Sequence, residues 1–343
     1  MIERTEPDAR RLLDLGWSGF FEEQVAEDEA QARPARITSV HRTRMGALTL
    51  DGPVEPVLPH HARTSEFAVG DFVLLEPGTD RLLRRLERRS VVERRVTGSR
   101  VPQLAGANID TLFIATSCNA DFNVARLERY LALANQSRAT PVMLLTKGDL
   151  ADDPASFETQ ARALQRDLVV VMLNPKSPDA AGRLAPWCGP GQTVALIGSS
   201  GVGKSTLVNT LAGAPEDGLQ QTGSIRENDA KGRHTTTARS LHPMVGGGWV
   251  LDTPGMRSVQ VSDVGEGLDT LFAEITELAP LCRFRDCTHA HEPGCAVQAA
   301  VKAGTVDPSR VERWRKLRDE NTANAEPETK WGTGAPGGQR RRR

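Results

Sequence analysis

Apolar and polar positions change rhythm twice along the chain. Between residues 34 and 98, short alternating segments are cut by turn residues: "ARITSVHRTRMGALTLDGPVEPVLPH" breaks at Met-Gly and Asp-Gly-Pro, and "FAVGDFVLLEP" adds a turn and a strand. Several short strands at regular spacing predict a small β-barrel. The length suits a five-stranded OB-type barrel, and periodicity alone leaves an SH3-like barrel open. From about residue 108, "IDTLFIATS", "TPVMLLTKGD", "DLVVVML" and "QTVALIGSS" are near-continuous apolar strands, with helical patterns in "NVARLERYLALANQS" and "PASFETQARALQR" between them. Strands that alternate with helices and are apolar on both faces predict a parallel sheet covered on each side. "GGGWVLDTPG" adds one more strand. Beyond it the pattern turns helical ("GLDTLFAEITELA", "AVQAAVKAG", "DPSRVERWRKLRDENT") around a Cys/His cluster.

The expected organisation is a multidomain α/β protein. It has an N-terminal extension (1–33, a short amphipathic helix and an acidic connector), a barrel (34–98), an α/β domain (99–262), a helical metal-binding unit (263–325) and a flexible basic tail (326–343). A length of 343 residues accommodates this. No apolar run of about 18 residues occurs, and the charged start lacks a signal peptide's apolar core, so a cytoplasmic monomer without a membrane partner is expected. Net charge is −1 but unevenly spread: "RLLRRLERRSVVERR" (81–95) and the terminal "RRRR" are strongly basic. The barrel and this Arg run are the expected contacts for a polyanion such as RNA. The five cysteines, an odd count without a secretion signal, argue against a disulfide framework.

"GSSGVGKST" matches the phosphate-loop pattern and sits between a predicted strand and a predicted helix, the context the motif needs. Gly198, Ser199, Ser200, Gly201, Val202 and Gly203 would turn backbone N–H groups toward phosphate oxygens, at a helix N-terminus that favours anions. Lys204 would reach the β- and γ-phosphates, the Ser205 hydroxyl would bind Mg²⁺, and Thr206 continues the first helical turn. Downstream, Asp252 of "LDTPG" would hold Mg²⁺ through water, and the N–H of Gly255 would meet the γ-phosphate. The threonines of "KGRHTTTARS" could supply a second Mg²⁺ hydroxyl. "TKGD", at the end of a buried strand, offers Asp149 as a carboxylate for the N1–H and N2–H₂ edge of guanine, a donor pair adenine lacks. Lys147 would pack along the base, with Thr146 and Gly148 shaping the loop.

Such a base loop normally follows the phosphate loop, and here it precedes it. Circular permutation accounts for the order, since a sheet whose old termini lie close together tolerates it. The segment after "DTPG" then leads straight into the third domain, which nucleotide state could move as a lever. Small GTPases orient the attacking water with a Gln just after Asp-x-x-Gly. Met256 stands there instead, and His234 is the best replacement, since imidazole can accept a hydrogen bond from water. "CRFRDCTHAHEPGC" gathers Cys282, Cys287, His289, His291 and Cys295, and three thiolates with one imidazole make a closed structural zinc site. Two other readings share some of these residues. A nucleotide kinase or ATPase is opposed by "TKGD", and a zinc-containing RNA-binding protein with a degenerate nucleotide site is opposed by intact Lys204, Ser205 and Asp252.

The order TKGD, GSSGVGKST, GRHTTT, DTPG and then the Cys/His cluster resembles the circularly permuted ribosome-assembly GTPases of the RsgA/YjeQ family, over nearly the whole chain. "FNVARLERYL" and "RRSVVERR" also look like family segments. The resemblance implies an N-terminal OB-fold, a permuted GTPase domain and a C-terminal zinc domain. It implies binding to the 30S ribosomal subunit and its 16S rRNA late in maturation, with hydrolysis of GTP to GDP and phosphate stimulated by the subunit. It also implies Mg²⁺ held at Ser205, Thr236 and Asp252, with Thr235 and Thr237 as alternatives to Thr236. His234 would be the catalytic residue, and one structural Zn²⁺ would sit on Cys282, Cys287, His289 and Cys295. The chain departs from the common pattern in having Thr146 where many GTPases have Asn. Its second base-contacting loop is not obvious, and "LNPKS" (173–177) is the candidate.

Overall fold

The computed structural model describes residues 6–94, 103–214, 239–252 and 264–325. Its strands are β1 (Arg33–Val40), β2 (Met45–Thr49), β3 (Gly52–Val54), β4 (Phe72–Leu75), β5 (Leu82–Arg85), β6 (Val91–Arg94), β7 (Gln103–Ala107), β8 (Thr111–Ser117), β9 (Thr140–Thr146), β10 (Val169–Met172), β11 (Thr193–Gly198), β12 (Arg239–Pro243) and β13 (Trp249–Asp252). Its helices are α1 (Glu6–Asp14), α2 (Gly19–Glu22), α3 (Val124–Gln136), α4 (Pro154–Arg162), α5 (Ala180–Leu184), α6 (Lys204–Ala212), α7 (Gly265–Leu271), α8 (Ala273–Thr276), α9 (Ala296–Lys302) and α10 (Pro308–Ala325). None of the described helices is long and apolar enough to cross a membrane.

The α/β part is a sheet ordered β10-β9-β8-β11-β13-β12, parallel except for β12. The two-residue period of a strand sends alternate side chains to opposite layers. Leu112, Ile114, Met143, Leu145, Ala195 and Ile197 join Leu127 and Leu131 of α3 in one core. Phe113, Ala115, Val142, Leu144, Val194 and Leu196 join Leu207 and Leu211 of α6 in the other. This double burial is why these strands read as unbroken apolar runs. Each fully buried Leu or Phe contributes about 1.5–3 kcal/mol, so Phe113→Ala, which empties a site with no exposed surface, costs about 3–5 kcal/mol.

The first five strands close into a barrel. β1 pairs with β2 and β4, β2 with β3, and β4 with β5. A parallel bridge between Val57 and Arg81 shuts the ring in the order β1-β2-β3-β5-β4, the Greek-key closure of an OB-type barrel. Ala35, Ile37, Met45, Ala47, Val73 and Leu75 fill it. A bulge at Ile37/Ser39 lets the end of β1 turn and pair with β12, at Ser39 with Ser240 and Val40 with Arg239. Barrel and α/β sheet are thus one hydrogen-bonded surface. β6 and β7 form a separate hairpin outside the barrel, and the expected boundary at residue 98 falls between them.

The N-terminal segment is part of the main core. Leu12, Leu15, Trp17 and Phe21 are buried, with Trp17 edge-on to Phe72 at 5.3 Å. Arg36 of β1 is buried beneath them and donates to the Leu15 carbonyl and the Thr193 hydroxyl, both at 2.6 Å. It also lies over the rings of Phe72 and Trp249. Burial pushes this guanidinium down to about 9, partly offset by Asp110. One side chain therefore joins the N-terminal segment, the barrel and the start of β11.

The C-terminal helices dock on α3. Glu128 of α3 is fully buried and accepts from Arg310 and Arg313 of α10, each at 2.9 Å. Arg310 also donates to Glu274 and to the Leu271 carbonyl, each at 2.7 Å.

Candidate functional site

The carboxyl ends of the parallel strands converge on one edge, the usual ligand edge of an open α/β sheet. β11 delivers the phosphate loop there, flanked by β8 and β13. Gly198 has φ +144°, and a Cβ on it would lie 2.2 Å from the Ala115 carbonyl oxygen. Gly203 has φ +99° and caps α6 with Pro175 against it, so a side chain fits at neither position. Lys204 opens α6 and its ammonium donates to the Ser199 carbonyl, while Ser205 and Thr206 complete the first turn. Asp252 ends β13 opposite Ser240. Beside it on β12, Ser240 Oγ and His242 Nε2 are 2.7 Å apart, and burial lowers the pKa of that imidazole against a smaller raising effect of Asp252.

β9 brings the base loop alongside. Thr146 is fully buried, and its hydroxyl lies 2.9 Å from the Val202 carbonyl, 3.2 Å from the Thr116 carbonyl and 3.2 Å from Ser117 Oγ. One hydroxyl proton serves one acceptor well, so the shorter Val202 contact is the donated bond and Ser117 supplies the accepted one. Lys147 adopts a left-handed φ of 58° at the start of the helical turn Gly148–Leu150, which leaves Asp149 exposed at the edge. Asn174 Nδ2 is 3.4 Å from Asp149 Oδ2, and the Pro175 carbonyl accepts from Thr210 of α6 at 3.2 Å. The 173–177 segment therefore lies against both the base loop and the phosphate-loop helix.

His234, Thr235, Thr236, Thr237, Gly255 and Met256 lie outside the described residues. A contact the sequence did not reveal is Asp121, between β8 and α3, whose carboxylate meets the Ser199 hydroxyl of the phosphate loop. The signal available was the polar stretch "CNADFN" directly after a fully buried strand.

The ligand atoms of Cys282, Cys287, His289 and Cys295 all lie within 4.8 Å of one another. Cys282 and Cys295 Sγ are 3.8 Å apart, and His289 Nδ1 is 3.4 and 3.5 Å from them. A tetrahedral zinc with Zn–S about 2.3 Å and Zn–N about 2.0 Å separates its ligands by about 3.8 Å (S···S) and about 3.5 Å (S···N), so the cluster is compatible with zinc. Main-chain N–H groups of Ala296 and Gln298 point at Cys282 and Cys295. The His289 main-chain carbonyl accepts from Gln298 Nε2 at 2.6 Å and from Arg315, which holds the backbone that carries the ring. Burial, with Arg318 and Arg315, lowers the His289 pKa and so favours the neutral, metal-binding form. His291 is exposed and outside the group.

Three arginines of the basic run are paired: Arg84 with Glu29 at 2.6 Å, Arg88 with the fully buried Asp71 at 2.7 Å, and Arg89 with Asp110. Arg81 and Arg85 of the run are exposed with no carboxylate within salt-bridge distance among the described residues, and so are Arg42, Arg44 and Arg63, at the β1–β2 hairpin and the adjoining loop. Thr64 Oγ1 bonds the Arg42 carbonyl at 3.0 Å and holds those two segments together.

A family model described as RsgA GTPase matches residues 85–262. The small ribosomal subunit biogenesis GTPase RsgA of Mesorhizobium japonicum is 62% identical over 344 residues, covering 100% of this chain and 99% of that protein. RsgA 2 of Vibrio vulnificus, which carries the same description, is 46% identical over 316 residues, covering 92% and 89%. In fold, the chain is similar to the crystal structure of YjeQ from Thermotoga maritima, with a TM-score of 0.62 at 23% identity over 84% of this chain and 98% of that one. It is also similar to YloQ, described as a circularly permuted GTPase, with a TM-score of 0.62 at 21% identity over 88% and 99%. With a family model over residues 85–262, a relative 62% identical from end to end, and a TKGD strand that precedes the GSSGVGKST strand in sequence yet lies one strand from it in the same parallel sheet, the chain belongs to the RsgA GTPase family.

Proposed function

We propose that this protein hydrolyses GTP to GDP and phosphate while acting, in the cytoplasm, on the maturing small ribosomal subunit. The observation that carries the nucleotide reading is the bond from Thr146 to the Val202 carbonyl, which ties a guanine-reading loop to a phosphate loop. Asp149 accepts the two guanine donors, Lys147 lies along the base, and 173–177 closes the far side. The backbone of 198–203 and Lys204 hold the phosphates. Ser205 and Thr236 would supply hydroxyls to Mg²⁺, with the Asp252 carboxylate as its further partner. Mg²⁺ supplies charge neutralisation at the β- and γ-phosphates. His234 accepts a hydrogen bond from the attacking water, a task Met256 cannot perform, and the N–H of Gly255 meets the γ-phosphate. Cys282, Cys287, His289 and Cys295 would hold a zinc ion that folds a unit too small to bury much core alone.

The ribosomal part of the reading is supported by the descriptions of the relatives and by the exposed arginines at one end of the barrel. Co-sedimentation tests it. The chain loaded with a non-hydrolysable GTP analogue is expected to pellet with purified small subunits and not with large ones. Replacing Arg42, Arg44 and Arg63 by Gln is expected to weaken binding and flatten its salt dependence, by about one unit of slope for each phosphate left without its arginine. Equal pelleting with both subunits would contradict the partner assignment.

A further inference from the structure

The Ser199 hydroxyl lies 2.7 and 2.6 Å from the two carboxylate oxygens of Asp121. Thr116 Oγ1 approaches the same group at 3.4 Å, and Arg126 donates to it at 2.9 Å and to the Asp121 main-chain carbonyl. The arrangement is fixed from below: Asn119 accepts the Asp121 N–H at 2.9 Å, and Asn123 caps α3 through the Arg126 N–H at 3.0 Å. Arg126 Nε is buried and without a partner among the described residues. The pair reaches beyond its own strand end, loop and helix at the phosphate loop.

We propose that Asp121 is a positioning residue for nucleotide binding. It clamps Ser199, whose carbonyl in turn holds the Lys204 ammonium, and Arg126 cancels a negative charge that would otherwise face the incoming polyphosphate. The inference rests on the GTP-site reading and is independent of the ribosomal one. A carboxylate beside a phosphate site opposes the ligand unless it is neutralised. A hydroxyl held in a charge-assisted bond orders the loop that carries it. The two members of the pair therefore have opposite effects once separated. Removing Asp121 loosens the loop. Removing Arg126 alone loosens it and leaves a bare carboxylate.

The test is GDP and GTP affinity of the full chain by fluorescent-nucleotide titration, with the melting temperature taken in parallel. Asp121→Asn, which strips the charge from the bond, and Ser199→Ala, which removes it, are each expected to weaken binding about ten-fold, and the double variant no more than Ser199→Ala, since both act on the same hydrogen bond. Arg126→Gln is expected to weaken it more, about 30-fold or beyond, and adding Asp121→Asn to it is expected to restore affinity toward the Asp121→Asn level. Additive losses in both pairs, or losses that merely follow the melting temperature, would overturn the proposal. Wild-type chain that binds no guanine nucleotide would instead remove the reading on which it rests.

Discussion

The Thr146 hydroxyl donates to the main-chain carbonyl of Val202 across 2.9 Å, between the loop that would read the base and the loop that would hold the phosphates. Many GTPases have Asn at this position, and a buried hydroxyl performs the same stitching with one bond. Thr146→Val keeps the volume and leaves the Val202 carbonyl without that donor. An unsatisfied buried acceptor costs about 1–3 kcal/mol. We expect GTP and GDP affinities to fall together by about ten-fold, with a lower melting temperature. A loss confined to one nucleotide would contradict a shared stitch.

The proposed site gives the base specificity to Asp149. Asp149→Asn replaces an acceptor pair by one acceptor and one donor, which no longer matches guanine but matches xanthine, where a carbonyl stands in place of the amino group. A site built around hydrogen bonds rejects a mismatched ligand strongly, so GTP turnover should fall by about 10²-fold or more while XTP turnover rises. Unchanged preference for GTP would place the base elsewhere.

Metal removal should act on structure before chemistry. The four ligand atoms lie within 4.8 Å of one another, and α9 starts at the last of them, with Cys295 as its N-cap. We expect one zinc per chain by elemental analysis. We also expect chelation or Cys282→Ser to expose 282–302 to protease while the nucleotide loops keep their affinity within about three-fold, since among the described residues the ligands hydrogen-bond within the C-terminal helices and not to those loops. A metal-free chain with an unchanged digestion pattern would rule out a structural zinc.

Glu128 anchors the C-terminal helices through two arginines. Glu128→Ala leaves Arg310 buried with only Glu274 and a carbonyl as partners, and breaking such a pair costs about 3–5 kcal/mol. Hydrogen exchange across α10 should rise sharply in this variant. A change of under about 0.5 kcal/mol in unfolding free energy would show the pair to be dispensable.

What the sequence disclosed, and what it hid, follows from separation along the chain. "TKGD", the phosphate loop and the Cys/His cluster are contiguous or nearly so, and each carries its chemistry in its spacing. The parallel strands showed because both faces are buried. The ion pairs of Arg84, Arg88 and Arg89 were hidden because the partners lie elsewhere: Glu29 precedes Arg84 by 55 positions, while Asp71 and Asp110 flank the run. The N-terminal extension read as a short amphipathic helix and an acidic connector, and its long-range contacts left no local trace: Glu29 is one of those partners, and Trp17 and Phe21 are core residues. The pairing of β1 with β12 joins segments about 200 positions apart and leaves no local trace. Docking of α10 on α3 adds a second route by which the C-terminal unit meets the GTPase domain, besides the segment that follows Asp252.

The most direct test of the whole account is the rate of GTP hydrolysis with and without purified small ribosomal subunits, with ATP and large subunits as controls. The account predicts slow turnover by the chain alone and a rise of about 10²-fold or more with small subunits, the scale of a general base brought into place. The rise should be specific to GTP and abolished by His234→Ala. Turnover that is unchanged by small subunits, or equally high with ATP, would contradict it.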